Sequence, residues 1–151
     1  AELAGEAAEA ARGWREVCDL LGDGREGERA EALRCLAAVH DLRGDRESAL
    51  AARRAAAEAF AAAGCPADAA LEHLARRLSA ALKGSSVELL GPARAVLPRI
   101  NRRWRGQLLL KGALSEAGKE AVLDLFDATA AALPGGRKLD LALDVDPQQL
   151  I

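Results

Sequence analysis

The side chains with the most obvious chemical potential form a basic segment in the second half of the chain. Between Lys83 and Lys111 there are seven basic residues and a single acid, Glu88. Because the whole chain has a formal net charge of −2, this segment is a local positive patch, suited to phosphates or an acidic peptide. The alternative is a solvated surface loop. The residues expected to contact a nucleic-acid backbone are Lys83, Arg94, Arg99 and Arg102, with Arg105 beside them.

Residues 103–111 have the alternating pattern of a strand. Alternation places Arg103, Arg105 and Gln107 on one face, while Trp104, Leu108 and Leu110 point to the other. Two guanidinium groups and an amide can hold a carboxylate through charge-assisted, forked hydrogen bonds. In the alternative interpretation this is an exposed strand whose arginines pair with Glu88 or Asp140.

Other reactive side chains give weaker signals. Asp144 and Asp146 share one face of a predicted strand, but two acids without a third ligand more often end a strand before a turn such as that at Pro147. His40 and His73 lie in helix patterns with no partner at catalytic spacing, which indicates packed or surface histidines. We therefore expect no catalytic residue, no cofactor and no metal site.

The motifs of a nucleotide-driven enzyme are missing from the sequence. There is no phosphate-binding GxxxxGK[ST] loop, no acidic metal-binding box and no paired-cysteine cluster. Cys18, Cys35 and Cys65 are odd in number and form no ligand spacing, so we expect free thiols that behave as small buried apolar residues. Trp14 and Trp104 are expected in a core or an interface.

Composition limits the class of protein. About half of the 151 residues are apolar, mostly alanine, leucine and valine, and aromatic residues make up only 3%. This composition favours helix over an all-β fold. No stretch of 18 uncharged apolar residues is present, so we expect no membrane span. The sequence does not open with a basic and then apolar signal peptide, and its cysteines form no disulfide framework, so we expect a cytoplasmic location. The absence of methionine at position 1 indicates a piece of a longer protein or a processed chain.

The first half of the sequence, residues 1–83, has helical spacing of its apolar residues. Gly44 is placed to end one helix in the left-handed conformation, and Asp45 is placed to cap the next. Pro66 with Asp68 suits the first turn of a further helix. Its apolar positions are Leu71, Leu74, Leu78 and Leu82.

Part of this half resembles the tetratricopeptide repeat, a helical hairpin used in protein recognition. Two residues depart from the pattern, because tyrosine is usual at the position of His40 and a large aromatic residue at that of Arg53. The alternative is a generic alanine-rich helical scaffold. The matching positions are Leu33, Leu36, Ala37, His40, Gly44, Asp45, Ala49 and Ala56, with a second partial match at Leu71, Leu74, Ala75 and Leu78.

From Ser85 onward the period changes. Residues 86–90 are predicted to form a short strand that Gly91-Pro92 stops, followed by a loop with two prolines. A second strand follows at 103–111, and a third is predicted at 138–146. Between these two strands an amphipathic helix opens at Ser115, with a buried face of Val122, Leu125, Phe126 and Leu133. The predicted fold is α+β: helical hairpins, then a small antiparallel sheet with helices on one face.

Three segments of this half resemble the C-terminal domain of PriA, the replication-restart helicase. They are residues 87–92, 103–111 and 143–147, which occur in the family's order and at about its spacing. The resemblance covers about residues 67–151. It divides the chain into a helical, tetratricopeptide-like region at 1–66 and a PriA-type domain at 67–151.

The resemblance implies particular partners. It implies contact with branched or single-stranded DNA, with the acidic C-terminal tail of single-stranded-DNA-binding protein, and with other primosome proteins. Arg103 and Gln107 match the arginine and glutamine that engage that tail in the family, and Arg105 would attract the tail's acids. The family's motor is a DNA helicase, and this chain lacks its motifs.

One feature of the family has no clear counterpart in the sequence. A strand precedes the first helix of the family's domain, whereas the sequence before residue 67 has a helical pattern. Cys35–Leu42 is the candidate for that strand, although alanine is a poor strand former. The remaining alternative function is a helical-repeat adaptor without a nucleic-acid role.

Overall fold

Four helices, a two-stranded hairpin and a fifth helix follow one another along the chain. The computed structural model describes residues 2–100, 103–132 and 142–143. None of the helices in these ranges is long and apolar enough to cross a bilayer. The helices and strands of the described residues are α1 (Glu2–Leu20), α2 (Glu26–Leu42), α3 (Arg46–Ala62), α4 (Pro66–Ala81), β1 (Glu88–Ile100), β2 (Arg103–Lys111) and α5 (Glu116–Ala132). The α+β prediction with a helical N-terminal part is confirmed.

The turn between α2 and α3 has the geometry that its sequence predicts. Gly44 has φ +69°, a left-handed conformation that favours glycine. The backbone N–H groups of Gly44 and Asp45 donate to the carbonyls of Asp41 and His40, both at 2.9 Å. The Asp45 carboxylate accepts a hydrogen bond from the N–H of Ser48 at 3.2 Å, which lowers the pKa of Asp45. Asp45 therefore caps α3.

Most other local predictions for this half agree with the structure, but of the three cysteines expected to be buried only Cys18 is, while Cys35 and Cys65 are half-buried. Cys35–Leu42 forms the last half of α2, so the alternative that makes it a strand is wrong. Pro66 is the first residue of α4. His40 is packed, with 3% of its surface exposed. All three cysteines are free, and burial raises the pKa of Cys18 and of Cys35.

Small side chains build most of the core between α1, α2, α3 and α4. Ala37, Ala49 and Ala56 are at most 1% exposed, as expected where helices approach most closely. Since an alanine buries less apolar area than a leucine, each such contact contributes little to stability. The two apolar clusters are Ala30, Ala56, Ala59, Phe60 and Ala69, and Ala11, Leu36, Ala37 and Ala52.

A buried carboxylate joins three of these helices. Glu72 of α4 has no exposed surface, and its Oε1 accepts a hydrogen bond from Arg34 Nε of α2 at 2.6 Å. Arg53 Nη1 of α3 lies 3.6 Å from Glu72 Oε2. Burial raises the pKa of Glu72, and the neighbouring Arg34 and Arg53 oppose that rise. Glu72 thus holds two cations from two other helices.

Two further carboxylates belong to this group, so that three acidic side chains face the two arginines. Arg34 Nη2 donates to Asp68 Oδ1 at 2.9 Å, and Arg53 Nη2 donates to Asp41. The Arg34 guanidinium also lies 4.3 Å from the centre of the Phe60 ring, a cation–π distance. Burial lowers the pKa of Arg34, but Glu72 and Asp68 raise it by more. We call Arg34, Asp41, Arg53, Asp68 and Glu72 the ion cluster.

The substitution Glu72→Ala tests the ion cluster. It leaves Arg34 and Arg53 buried without the carboxylate that both of them face, and removing one partner of a buried ion pair typically costs about 3–5 kcal/mol. We expect the free energy of unfolding, measured by urea denaturation, to fall by about that amount. Glu58→Ala on the exposed side of α3 is the control and should change it by less than about 0.5 kcal/mol. Equal losses in the two variants would contradict the role given to the cluster.

β1 and β2 pair in antiparallel register from Glu88↔Lys111 to Ile100↔Arg103. The predicted stop at Gly91-Pro92 and the loop after it are wrong, because β1 continues to Ile100. The register shifts between Leu90 and Ala93 and again between Arg94 and Arg99. Each shift contains one of the two prolines, so their missing N–H groups fall where the regular ladder is already interrupted.

The hairpin packs against α4 and α5 through one apolar cluster. Leu74, Leu78 and Leu82 come from the α4 side, and Val122 comes from α5. Ser115 Oγ accepts a hydrogen bond from the N–H of Gly118 at 3.1 Å, which opens α5 as predicted. Strand residues that contact this cluster are Val87, Leu89, Leu108 and Leu110. The predicted third strand at 138–146 falls almost wholly outside the described residues.

Gly91 provides a test of the hairpin. It has φ +96°, and a Cβ there would lie 3.0 Å from the carbonyl oxygen of Gln107. Gly91→Ala is therefore expected to lower stability by about 1–3 kcal/mol, seen as a lower Tm. Gly13 lies in α1 with nothing near its missing Cβ, so Gly13→Ala should instead raise stability by about 0.5–1 kcal/mol. An unchanged Tm for Gly91→Ala would contradict the hairpin geometry.

Candidate binding surface on the hairpin

The two faces of the hairpin have different surroundings. Leu89 and Leu110 are paired and contact the helices. Gly106 lies on the same face, since a Cβ there would be 2.5 Å from Leu71 Cδ1 of α4. Leu90 and Leu109, the next pair, therefore belong to the opposite face. We call this opposite face, which also carries Arg105 and Gln107, the outer face.

Arg105 and Gln107 lie on the outer face as the alternation predicts, both half-buried. Two strand positions separate them, or about 7 Å. The Nη1 atom of Arg105 is buried and has no hydrogen-bond partner in the described part of the chain. An unpaired buried N–H is costly, roughly 1–3 kcal/mol, and an incoming acceptor removes that cost. Arg103 begins β2, and its side chain lies outside what the structure describes.

The predicted basic residues are spread along the ribbon rather than gathered at one point. Lys83 is exposed and precedes the end of the ribbon at Glu88, whereas Arg99 is exposed near the opposite end beside Trp104. At the rise of a strand these ends are roughly 30 Å apart. Arg102 lies outside the described residues. The arrangement therefore suits an extended ligand such as a nucleic-acid backbone.

Arg94 differs from the other predicted residues because it faces the helices. Its cross-strand partner is Gly106, and its Nη2 lies 3.0 Å from Glu31 Oε1 of α2. The Arg94 side chain is 60% exposed, so this is a surface ion pair worth little to stability. A phosphate that binds Arg94 would compete with Glu31.

Sequence reasoning missed the ion cluster, although it noted two of its members, Asp68 as a residue of the first turn of a helix and Arg53. Arg53 was singled out only as a departure from the tetratricopeptide pattern, yet a charged residue at a buried helix position requires a buried partner. Glu72 lies between Leu71 and Leu74, within the apolar pattern of α4. The sequence did carry a signal for the ion cluster: opposite charges occupy positions on neighbouring helices that the apolar pattern predicts to be buried.

The other predicted chemical residues form no site in the described part of the chain. Within it, no three His, Cys, Asp or Glu side chains are grouped as metal ligands, and Asp144 and Asp146 lie outside it. Trp14 is 36% exposed, so it does not lie in the core. Of the two positions predicted for it, only an interface remains.

The described part of the chain is an α+β fold with a helical N-terminal region. Helices α1 to α4 come first, and the hairpin and α5 follow. Residues 42–148 match the family model described as the primosomal protein N C-terminal domain. This match covers more than two thirds of the chain, which belongs to that family, and the assignment supports a role in replication restart. No curated protein and no solved structure matches the chain.

The matched segment begins at Leu42 and includes α3. It contains Arg53, Asp68 and Glu72 of the ion cluster, whereas Arg34 and Asp41 precede it. The predicted division between 1–66 and 67–151 falls at the first residues of α4 and stays a prediction. The tetratricopeptide resemblance of the helices likewise stays a prediction.

Proposed function

We propose that this chain is the DNA-binding and protein-interaction module of a PriA-type replication-restart protein. Its hairpin would contact branched or single-stranded DNA and the acidic C-terminal tail of single-stranded-DNA-binding protein. The observation that supports the proposal most strongly is the Arg105 guanidinium on the outer face, half-buried and short of an acceptor. The family assignment supplies the biological setting.

The tail site would use three residues of β2. Arg103 binds the free terminal carboxylate in a forked geometry that lysine cannot reproduce. Gln107 hydrogen-bonds the terminal backbone, and Arg105 pairs with a flanking acid of the tail. Leu90 is 39% exposed beside Leu109 on the same face and offers an apolar contact for the last side chain. By the alternation of β2 these groups would share one face, which would offer partners for the tail's last side chain, its free carboxylate and its flanking acids.

The DNA site would run along the ribbon through Lys83, Arg94, Arg99 and Arg102. A two-stranded ribbon is narrow enough to enter the major groove, and basic side chains spread over roughly 30 Å can follow a phosphate backbone. Contacts of this kind fix position without reading sequence. We therefore expect binding that is independent of sequence and sensitive to salt.

Charge reversal at the far end of the ribbon tests the DNA site. The double variant Arg99→Glu/Arg102→Glu should weaken binding to a forked duplex, measured by fluorescence anisotropy at low salt. Each lost phosphate contact should also reduce the slope of log affinity against log salt by about one. The slope for the double variant is thus expected to fall by about two.

The matched control changes the net charge equally at a distant surface. Arg12 and Arg15 are exposed on α1, so Arg12→Glu/Arg15→Glu carries the same change in charge. This control should keep most of the affinity and the full salt slope. Equal weakening by both double variants would show that only net charge matters, and the ribbon would then not be the site.

The tail site is tested by titrating the chain with a synthetic acidic peptide that ends in a free phenylalanine. Removing one partner of a desolvated charged contact typically costs about 2–5 kcal/mol. Arg103→Ala and Arg105→Gln should therefore weaken binding at least about 30-fold, and removing the last residue of the peptide should do the same.

Arg15→Ala on α1 is the control for this titration and should leave the affinity unchanged. Arg103→Lys keeps the charge but removes the fork, so its affinity should lie between those of the wild type and Arg103→Ala. If wild type, Arg103→Ala and Arg105→Gln bind the full and shortened peptides equally, the proposed tail site is wrong.

A further inference from the structure

A separate cleft lies where the helices meet the start of the hairpin. It has a volume of about 600 Å³. The end of α2, the start of α3, the end of α4 and the first residues of β1 line it. Its walls carry large apolar side chains, including Leu42, Leu82 and Leu90. Leu42 is 80% exposed and Leu90 39%, so the cleft opens onto solvent-facing apolar surface.

The same cleft contains an arginine that forms no ion pair with the described part of the chain. Arg46 lines the cleft, and its Nη2 is buried without a hydrogen-bond partner. Arg46 is also the first residue of α3, where the positive end of the helix dipole adds to its charge. The guanidinium therefore lacks both a hydrogen-bond acceptor and a counter-charge within the described part of the chain.

Two acidic residues beside Arg46 are engaged elsewhere. Asp41 forms its ion pair with Arg53, and Asp45 caps α3 through Ser48. Glu88 also lines the cleft, where it is exposed, and its backbone lies across the strands from Lys111. The buried donor of the cleft that lacks an acceptor is Arg46 Nη2, next to the apolar walls.

We propose that this cleft is a second peptide-binding site, centred on Arg46 and separate from the β2 residues of the tail site, although Leu90 borders both. Its occupant is a segment of a partner protein that presents a leucine- or phenylalanine-sized side chain next to a carboxylate. The apolar side chain packs against Leu42, Leu82 and Leu90. The carboxylate supplies the acceptor that Arg46 lacks, after a rotation of the end of the arginine side chain. The argument rests on Arg46 and the cleft and does not use the tail site.

The cleft lies at the N-terminal boundary of the family match. Leu42 is the first residue of the family match, and Ala38 and Asp41 of α2 precede it. The site therefore needs the end of α2 as well as the matched domain. A partner that binds here would contact the helical array and the sheet layer at the same time.

The smallest probe with the required chemistry is N-acetylphenylalanine, which carries one aromatic side chain and one carboxylate. Its amide, N-acetylphenylalanine amide, lacks the charge and is the matched control ligand. We would titrate each into the full chain with isotope-labelled leucine methyl groups and follow the NMR signals. The acid should shift the signals of Leu42, Leu82 and Leu90 with saturation at millimolar concentrations, and the amide should bind about 10-fold more weakly.

Two variants complete the test. Arg46→Gln should weaken binding of the acid about 10-fold, down to the level of the amide, while the spectrum otherwise stays that of the folded chain. Arg54→Gln, at an exposed position of the same helix, should bind the acid like the wild type.

Several results would overturn the proposal. Equal binding of acid and amide, or an unchanged affinity in Arg46→Gln, would show that Arg46 recognises no carboxylate. Shifts confined to Leu90 and Leu109, with Leu42 and Leu82 unchanged, would place the probe on the outer face instead. If the three leucine signals shift with protein concentration alone, a second copy of the chain fills the cleft, and the proposal is wrong.

Discussion

The buried carboxylate of Glu72 is the interaction on which the arrangement of the helices depends. The alanine-rich contacts between α2, α3 and α4 contribute little apolar area each, so they bring the helices close without fixing their relative positions strongly. Glu72 accepts from Arg34 of α2 and lies 3.6 Å from Arg53 of α3. An uncompensated buried charge is costly. If one helix slides or rotates, its charged side chain leaves its partners on the other two helices, and those partners stay buried without a counter-charge. The ion cluster therefore selects one register among many that small side chains would allow.

α4 transmits this constraint to the hairpin. One side of the helix carries Ala69 and Glu72 into the helical array, and another carries Leu74 and Leu78 into the apolar cluster beneath β1 and β2. The close approach of Gly106 to Leu71 leaves little space for a shift between helix and strand. The orientation of the outer face, and with it Arg105 and Gln107, is thus set by charges on the other side of α4. Arg94 adds a direct surface contact between the hairpin and Glu31 of α2.

Much of this fold follows from local sequence signals. Gly44 and Asp45 end and cap helices as predicted, Pro66 starts α4, and Ser115 opens α5, because each acts through backbone groups within a few residues. The predicted length of β1 was wrong. Two prolines in sequence predict a loop, and only the pairing with β2 shows that the strand continues through them. The ion cluster joins residues up to 38 positions apart, and no local rule reveals such a pairing. The outer face was predictable from alternation alone, whereas the unpaired atoms of Arg105 and Arg46 depend on what surrounds them in space.

Native-state hydrogen exchange on Glu72→Gln tests most directly whether the ion cluster positions the hairpin. This substitution keeps the shape of the side chain and removes its charge. The account predicts that amides of β1 and β2 lose protection by the same factor as those of α2 and α3, with no comparable loss in Glu58→Gln. If the hairpin amides keep their wild-type protection while only the helices exchange faster, the hairpin is held independently of Glu72, and the account is contradicted.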